Sequence, residues 1–284
     1  MRLLVLFRLI HFFCLMVLFG VAVFRPLLIE AKAVMALRRA MDPFLCLVAL
    51  FALLSGIGWL LAGAAQMAGS WPAGVAPATL RKVLLATFFG NVWSVHLVLC
   101  LVQLVYWRIP GWRSHTPALA LATLTLGTLA PVGHAAMFSG VAGGLLVLNQ
   151  LLHLLATGAW LGALLLMLCT RFMKQGIVFE QVVFSFSRYG TALVVVILLT
   201  GVANVRAITG QFVPSGSAYA AVLATKAVLV VAMLALALYN RTQAARPVPH
   251  GLALSVGAEW LCGVAALAAV ALLGTLAPVP WAAL

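Results

Sequence analysis

Four of the six histidines in this chain, His11, His96, His134 and His153, stand in apolar runs almost free of other ionisable side chains. His134 opens "GHAAM", and Met137 follows three residues on, which is the same face of a helix. Asn149, His153, Thr157 and Trp160 recur at spacings of four, four and three. That is a polar seam turned toward protein instead of lipid. His96, Cys100 and Gln103 make a second stripe, and His11 has Arg8 and Cys14 three residues to either side. Ionisable groups inside an apolar span are costly and by default mark a functional site. The plain alternative is an interhelical hydrogen bond that only glues helices together. Imidazole, thioether and thiol are soft or borderline donors, and Asp and Glu together number four. This donor set suits copper, Cu(I) above all, over magnesium, calcium or manganese. No CxxC or HxxxH pair offers a closed zinc motif. Paired helical histidines also suit the axial positions of a b-type haem, which is the alternative reading. The candidate metal ligands are therefore His134 and His153 first, with His11, Met137 and His96 beside them.

No Ser-His-Asp or paired-carboxylate arrangement is visible, and no GxxxxGK[ST] phosphate loop occurs. The residue pattern points to a protein that is not an enzyme. If it moves a cation, the drive is a gradient, the membrane potential or a partner. A potential of 100 mV supplies about 2.3 kcal/mol per charge moved.

The elements that position these residues follow from composition. Of the 284 residues, 65% are hydrophobic and 7% charged, with a mean hydropathy of +1.20. Soluble domains carry about 25% charged residues, so the solvent of this chain is membrane lipid. The net charge of +13 is spread over short connectors and forms no patch for nucleic acid. The five cysteines sit singly in apolar runs and form no disulfide framework. A spanning helix needs about 20 apolar residues. The pattern predicts an all-α, polytopic membrane helix bundle of about eight such helices, in a single integral membrane domain over 1–284. The spans run roughly over 3–28, 43–67, 83–107, 117–137, 145–169, 186–208, 219–240 and 252–276. Most of the charge lies in odd-numbered connectors: Lys32, Arg38 and Arg39, then Arg108 and Arg113, then Arg171 and Lys174, then Arg241 and Arg246. Positively charged connectors face the cytoplasm, which puts both termini in the periplasm. His134 and His153 then lie in the outer half of neighbouring antiparallel helices, His153 about 12 Å deep at about 1.5 Å per residue. Glu259 is the one acid placed within a span, where it is expected to meet an arginine or a hydroxyl.

Several stretches resemble the CopD family of bacterial copper-resistance membrane proteins over nearly the whole length. "RLIHFFCLMVLFGVAVF" resembles its first helix and "FGNVWSVHLVL" its third. "GHAAM" with "LLHLLATGAWLGALLL" resembles its central pair, and "EWLCGVAALAAVALLGTLAP" its last helix. The resemblance implies an inner-membrane role in copper handling, read as uptake from the periplasm. It also implies a separate periplasmic copper carrier similar to the CopC proteins. On this reading His134 and His153 receive copper at the periplasmic mouth, Met137 and His11 assist, and His96 with Cys100 forms an inner waypoint.

Overall fold

Long apolar runs leave the backbone no partner but itself in lipid, so the chain closes its hydrogen bonds within helices. The computed structural model describes residues 2–29, 31–109, 114–172, 178–246 and 250–278. Ten α-helices are seen among them: α1 (Arg2–Leu28), α2 (Ala31–Met67), α3 (Trp71–Gly74), α4 (Pro77–Ala86), α5 (Phe88–Arg108), α6 (His115–Gly127), α7 (Gly140–Arg171), α8 (Phe179–Thr209), α9 (Ala218–Ala244) and α10 (Leu252–Leu273). A 3₁₀ turn covers His134–Met137. Seven of these are long and apolar enough to cross a membrane: α1, the Ala40–Met67 part of α2, α5, α7, α8, α9 and α10. The polytopic helical bundle expected from composition is the fold observed. Arg113 and Lys174, and the side chains of Lys32 and Arg39, lie outside the described residues.

The fourth expected span, 117–137, is not one continuous helix. The 13 residues of α6 rise only about 20 Å, short of the roughly 30 Å hydrocarbon core. Pro131 removes a backbone donor, Gly133 turns at φ +100°, and the chain passes through Leu129 and Ala130 as buried turn before the 3₁₀ turn. Irregular backbone at this depth is tolerated because protein covers it. The third expected span, 83–107, is likewise cut at Thr87. Its hydroxyl accepts from the Gly90 amide at 2.9 Å and donates to the Val83 carbonyl at 2.6 Å, so α5 begins at Phe88.

Helix α1 is the centre of the bundle and packs on α2, α6, α7 and α10. Its closest neighbour is α7, where "GAWLG" sets Gly158 and Gly162 four residues apart against Gly20. A Cβ on Gly20 would strike the Gly158 carbonyl oxygen and stand 2.6 Å from the Gly162 Cα. This is the small-residue crossing that lets membrane helices approach closely. At the far end of α1, Arg25 donates to Asp42 Oδ1 of α2 at 2.7 Å, both side chains buried, and the guanidinium also lies over the Trp107 ring. Asp42 is thus a second acid held within a helix of the bundle, beside Glu259.

Candidate metal centre

Besides the Arg25–Asp42 pair, the buried polar side chains among the described residues that concern the expected ligands gather in three places. The first joins α1, α2, α5 and the end of α6. His11 and His96 are both fully buried, and their Nε2 atoms stand 2.7 Å apart. Cys100, one turn beyond His96, brings its Sγ to 3.4 Å from His96 Nε2. One donor atom from each of His11, His96 and Cys100 fits within a 4.8 Å span. Each ring is fixed from behind. His11 Nδ1 lies 3.0 Å from the Ala52 carbonyl, which can only accept, so Nδ1 carries the proton and Nε2 a lone pair. His96 Nδ1 lies 2.6 Å from the Thr128 hydroxyl, which itself lies 2.7 Å from the Thr125 carbonyl.

The single proton of Thr128 has two uses. Turned to the Thr125 carbonyl, it leaves Thr128 Oγ1 to accept from His96 Nδ1, and both Nε2 lone pairs then face each other. Only a cation or a proton between them makes that arrangement favourable. Turned to His96, it leaves His96 Nε2 protonated and donating to His11. A ligating histidine that gives its other ring N–H to an oxygen is the usual outer support of a metal site. With metal–nitrogen bonds of about 2.0 Å, nitrogens 2.7 Å apart subtend roughly a right angle at the ion. Trp93 stacks on His96 with ring centres 4.6 Å apart, Trp59 meets His11 edge-on at 5.7 Å, and Trp93 donates to the Gly56 carbonyl at 3.0 Å. These indoles exclude water. Two imidazoles, one sulfur and no carboxylate suit copper.

The second place is the C-terminal end of α10. His134 Nε2 lies 3.3 Å from the Leu273 carbonyl and its ring 5.8 Å from that of Tyr219. Arg8 donates to the Gly274 carbonyl at 3.0 Å and spreads over Trp59 at 4.7 Å. Burial lowers the His134 pKa and the Arg8 charge lowers it further, against the opposing Leu273 hydrogen bond. Met137 is well exposed, and in the 3₁₀ turn it lies in line with His134, three residues before it.

The third place is the expected seam. His153 Nδ1 lies 2.9 Å from the Thr200 hydroxyl of α8. Asn149 donates to the Thr200 carbonyl and to Asn204 Oδ1, each at 2.9 Å, and Asn204 donates to Gln150 at 2.8 Å. Thr157 donates to its own helix, and Trp160 donates to Glu259 Oε1 at 2.7 Å. Glu259 Oε2 accepts from Asn240 at 2.7 Å, so its partners are an indole and an amide, neither an arginine nor a hydroxyl. Lys226 lies eight residues into the apolar helix α9. Sequence reasoning passed over Lys226, although a lone lysine in an apolar run is itself a signal.

The structure thus brings His96 to His11, with Cys100 beside them. Among the described residues no hydrogen bond joins His134 to His153; each is tied to a different helix. Thr128 was not singled out from the sequence and supports the pair from behind.

The family model for the copper resistance protein D-like N-terminal domain matches residues 1–144, and that for copper resistance protein D matches residues 180–273. The chain belongs to the copper resistance protein D family. Among its relatives in the family, inner membrane protein YebZ of Escherichia coli (strain K12) is 32% identical, over 95% of this chain and 97% of its own. Copper resistance protein D of Pseudomonas syringae pv. tomato is 31% identical, over 93% of each chain. Copper transport protein CutJ of Bacillus subtilis (strain 168) is 28% identical, over 76% of this chain and 42% of its own. No solved structure matches. A copper resistance protein D family member with seven long apolar helices is a multi-pass inner-membrane protein that handles copper. The names of these relatives give the haem alternative no support.

Proposed function

We propose that this protein carries copper from the periplasm across the inner membrane toward the cytoplasm, and that His11, His96 and Cys100 hold the ion on the way. The observation that carries the reading is the buried pair of Nε2 atoms 2.7 Å apart, each ring fixed by an oxygen on its other nitrogen. Neutral imidazoles let the cation bring the only charge into the site. Three donors instead of a closed four-ligand cage let it leave again. Met137 and His134 form the outer approach, and both termini face the periplasm. The chain works as one membrane domain, supplied by a separate periplasmic carrier similar to the CopC proteins. His153 belongs to the α7–α8 seam, where the Thr200 hydroxyl meets its Nδ1.

The test is copper accumulation by cells carrying His96→Ala or His153→Ala, with the amount of folded protein measured alongside. His96→Ala is expected to abolish accumulation at normal protein levels, and His153→Ala to lower the protein level while each folded copy still transports. Normal accumulation with His96→Ala would overturn the assignment.

A further inference from the structure

Glu259 is a buried acid that the copper site leaves unused. It stands about 10 Å from the start of α10. Its carboxylate accepts from two neutral donors, Trp160 Nε1 of α7 and Asn240 Nδ2 of α9, each at 2.7 Å. Glu259 is 2% exposed and Asn240 4%. Asp42 is bound to Arg25 and Glu180 stands in the first turn of α8, whereas among the described residues no ion pair reaches Glu259. A buried charge without a partner is costly, and such a group neutralises by taking up a proton. Two polar groups beside it are unsatisfied. Asn240 Oδ1, on the amide that touches the carboxylate, has no hydrogen-bond partner among the described residues, and neither has Ser255 Oγ, one turn before Glu259 on the same face. The polar line continues to the end of α9. Gln243, buried one turn beyond Asn240, accepts from the His250 amide at 3.4 Å, and His250 is exposed. Helices α1, α7 and α9 pack on α10. On α9, Lys226 stands about 21 Å along the helix from Asn240. Tyr239 and Arg241 turn to the His250 carbonyl and to Thr191. On α7, His153 is tied to Thr200, and Cys169 lies nine residues beyond Trp160. On α1, Phe13 meets Trp260, with His11 and Cys14 to either side of it and Arg8 and Arg25 farther along, and Cys262 follows Glu259 on α10 itself.

We propose that Glu259 is a proton-binding site, reached from the end of α9, and that a proton there opposes copper at His11 and His96. The second half rests on the copper reading of the imidazole pair, and the first stands without it. The proton comes from water at the end of α9 and forms an O–H bond with a carboxylate oxygen. On release the same bond breaks and the proton returns to water. Arg241 and Arg246 mark that end as cytoplasmic. In the ionised state Asn240 gives its amide N–H to the carboxylate. In the protonated state the amide turns about and Oδ1 accepts the new O–H. An ionised Glu259 adds one negative charge to the bundle and favours a cation in it, and a neutral one does not. Helix α1 links the two places, because Phe13, two residues from His11, packs on Trp260 with ring centres 6.0 Å apart.

The experiment is an infrared pH titration of the copper-free full chain in detergent, reading the carbonyl stretch of a protonated carboxyl. Wild type is expected to lose one such band as pH rises, and Glu259→Gln to lack it throughout. Trp160→Phe removes one donor from the charged form, so its midpoint is expected about one to two pH units higher. A band unchanged in Glu259→Gln, no band in wild type, or a midpoint unmoved in Trp160→Phe would overturn the proton site. Should Glu259→Gln fail to fold, Trp160→Phe decides, because its indole N–H is given to Glu259. The link to copper is read by Cu(I) competition on the same samples. Between the two ends of the titration, wild-type affinity is expected to rise at least about fivefold more than that of Glu259→Gln. Parallel curves would overturn the link. Wild type that binds no copper would overturn the proposed function and the link with it, while the infrared band still decides the proton site.

Discussion

Thr128→Val separates the metal site from its packing. Valine has nearly the shape of threonine, so the change removes one hydroxyl and little volume. That hydroxyl is the partner of His96 Nδ1 at 2.6 Å and stands at the end of α6, where the chain bends. Its loss leaves a buried N–H without an acceptor, at about 1–3 kcal/mol, and frees the His96 ring to turn away from His11. Losing such an outer partner lowers metal affinity roughly 10–100-fold, equivalent to about 1.4–2.7 kcal/mol of binding free energy. The assay is competition for Cu(I) against a coloured chelator on the purified protein. Thr128→Ser, which keeps the hydroxyl, is expected to bind within a few-fold of wild type. If Thr128→Val binds as tightly as Thr128→Ser, the ring is not held from behind and the orientation argument fails. A variant that loses stability without losing affinity would likewise reduce His96 to helix glue.

Gly20→Leu is expected to destabilise the bundle by at least the roughly 1–3 kcal/mol of an overpacked core, because no side chain fits between Gly20 and the backbone of α7. Thermal unfolding in detergent checks this, with Gly144→Ala, which meets nothing within 4 Å, expected to be silent. His134→Gln tests pH dependence. The folded pKa of His134 lies below its ordinary 6.5, so its contribution is fully present above that value and is lost as pH falls through the folded value. The unfolding midpoint of wild type should therefore drop more than that of His134→Gln between about pH 7 and pH 5; parallel curves would contradict the burial of the ring.

Hydropathy and period made the bundle legible because lipid demands long unbroken apolar helices. They failed where the chain stays apolar but stops being helical. Residues 117–137 kept their hydropathy across the bend at Thr128, and only Pro131 and Gly133 marked it. The seam of Asn149, His153, Thr157 and Trp160 was legible from spacing, and the structure turns it toward protein on α8 and α10. The His11–His96 contact joins residues 85 positions apart. A single sequence shows which face of a helix is polar but not which helix meets it, so His134 and His153, adjacent along the chain, looked the better pair. The "GAWLG" crossing against Gly20 was readable as a small-residue motif and names α7 as the neighbour of α1 only once the fold is known.

Helix α1 carries a buried arginine on either side of the metal centre, and the two are not equivalent. Arg25 is matched by Asp42 and is close to neutral as a unit. Arg8 lies about one turn before His11. It meets the Gly274 carbonyl and the Phe12 and Trp59 rings, and its Nε has no hydrogen-bond partner among the described residues. A cation at His11 and His96 has the Arg8 charge on one side, with no carboxylate bound to it among the described residues, and the Arg25–Asp42 pair on the other. The repulsion scales with the charge of the ion, so a divalent ion meets twice the barrier of a monovalent one. The helix is thus an electrically lopsided scaffold, and its Arg8 end weighs against the more highly charged ion.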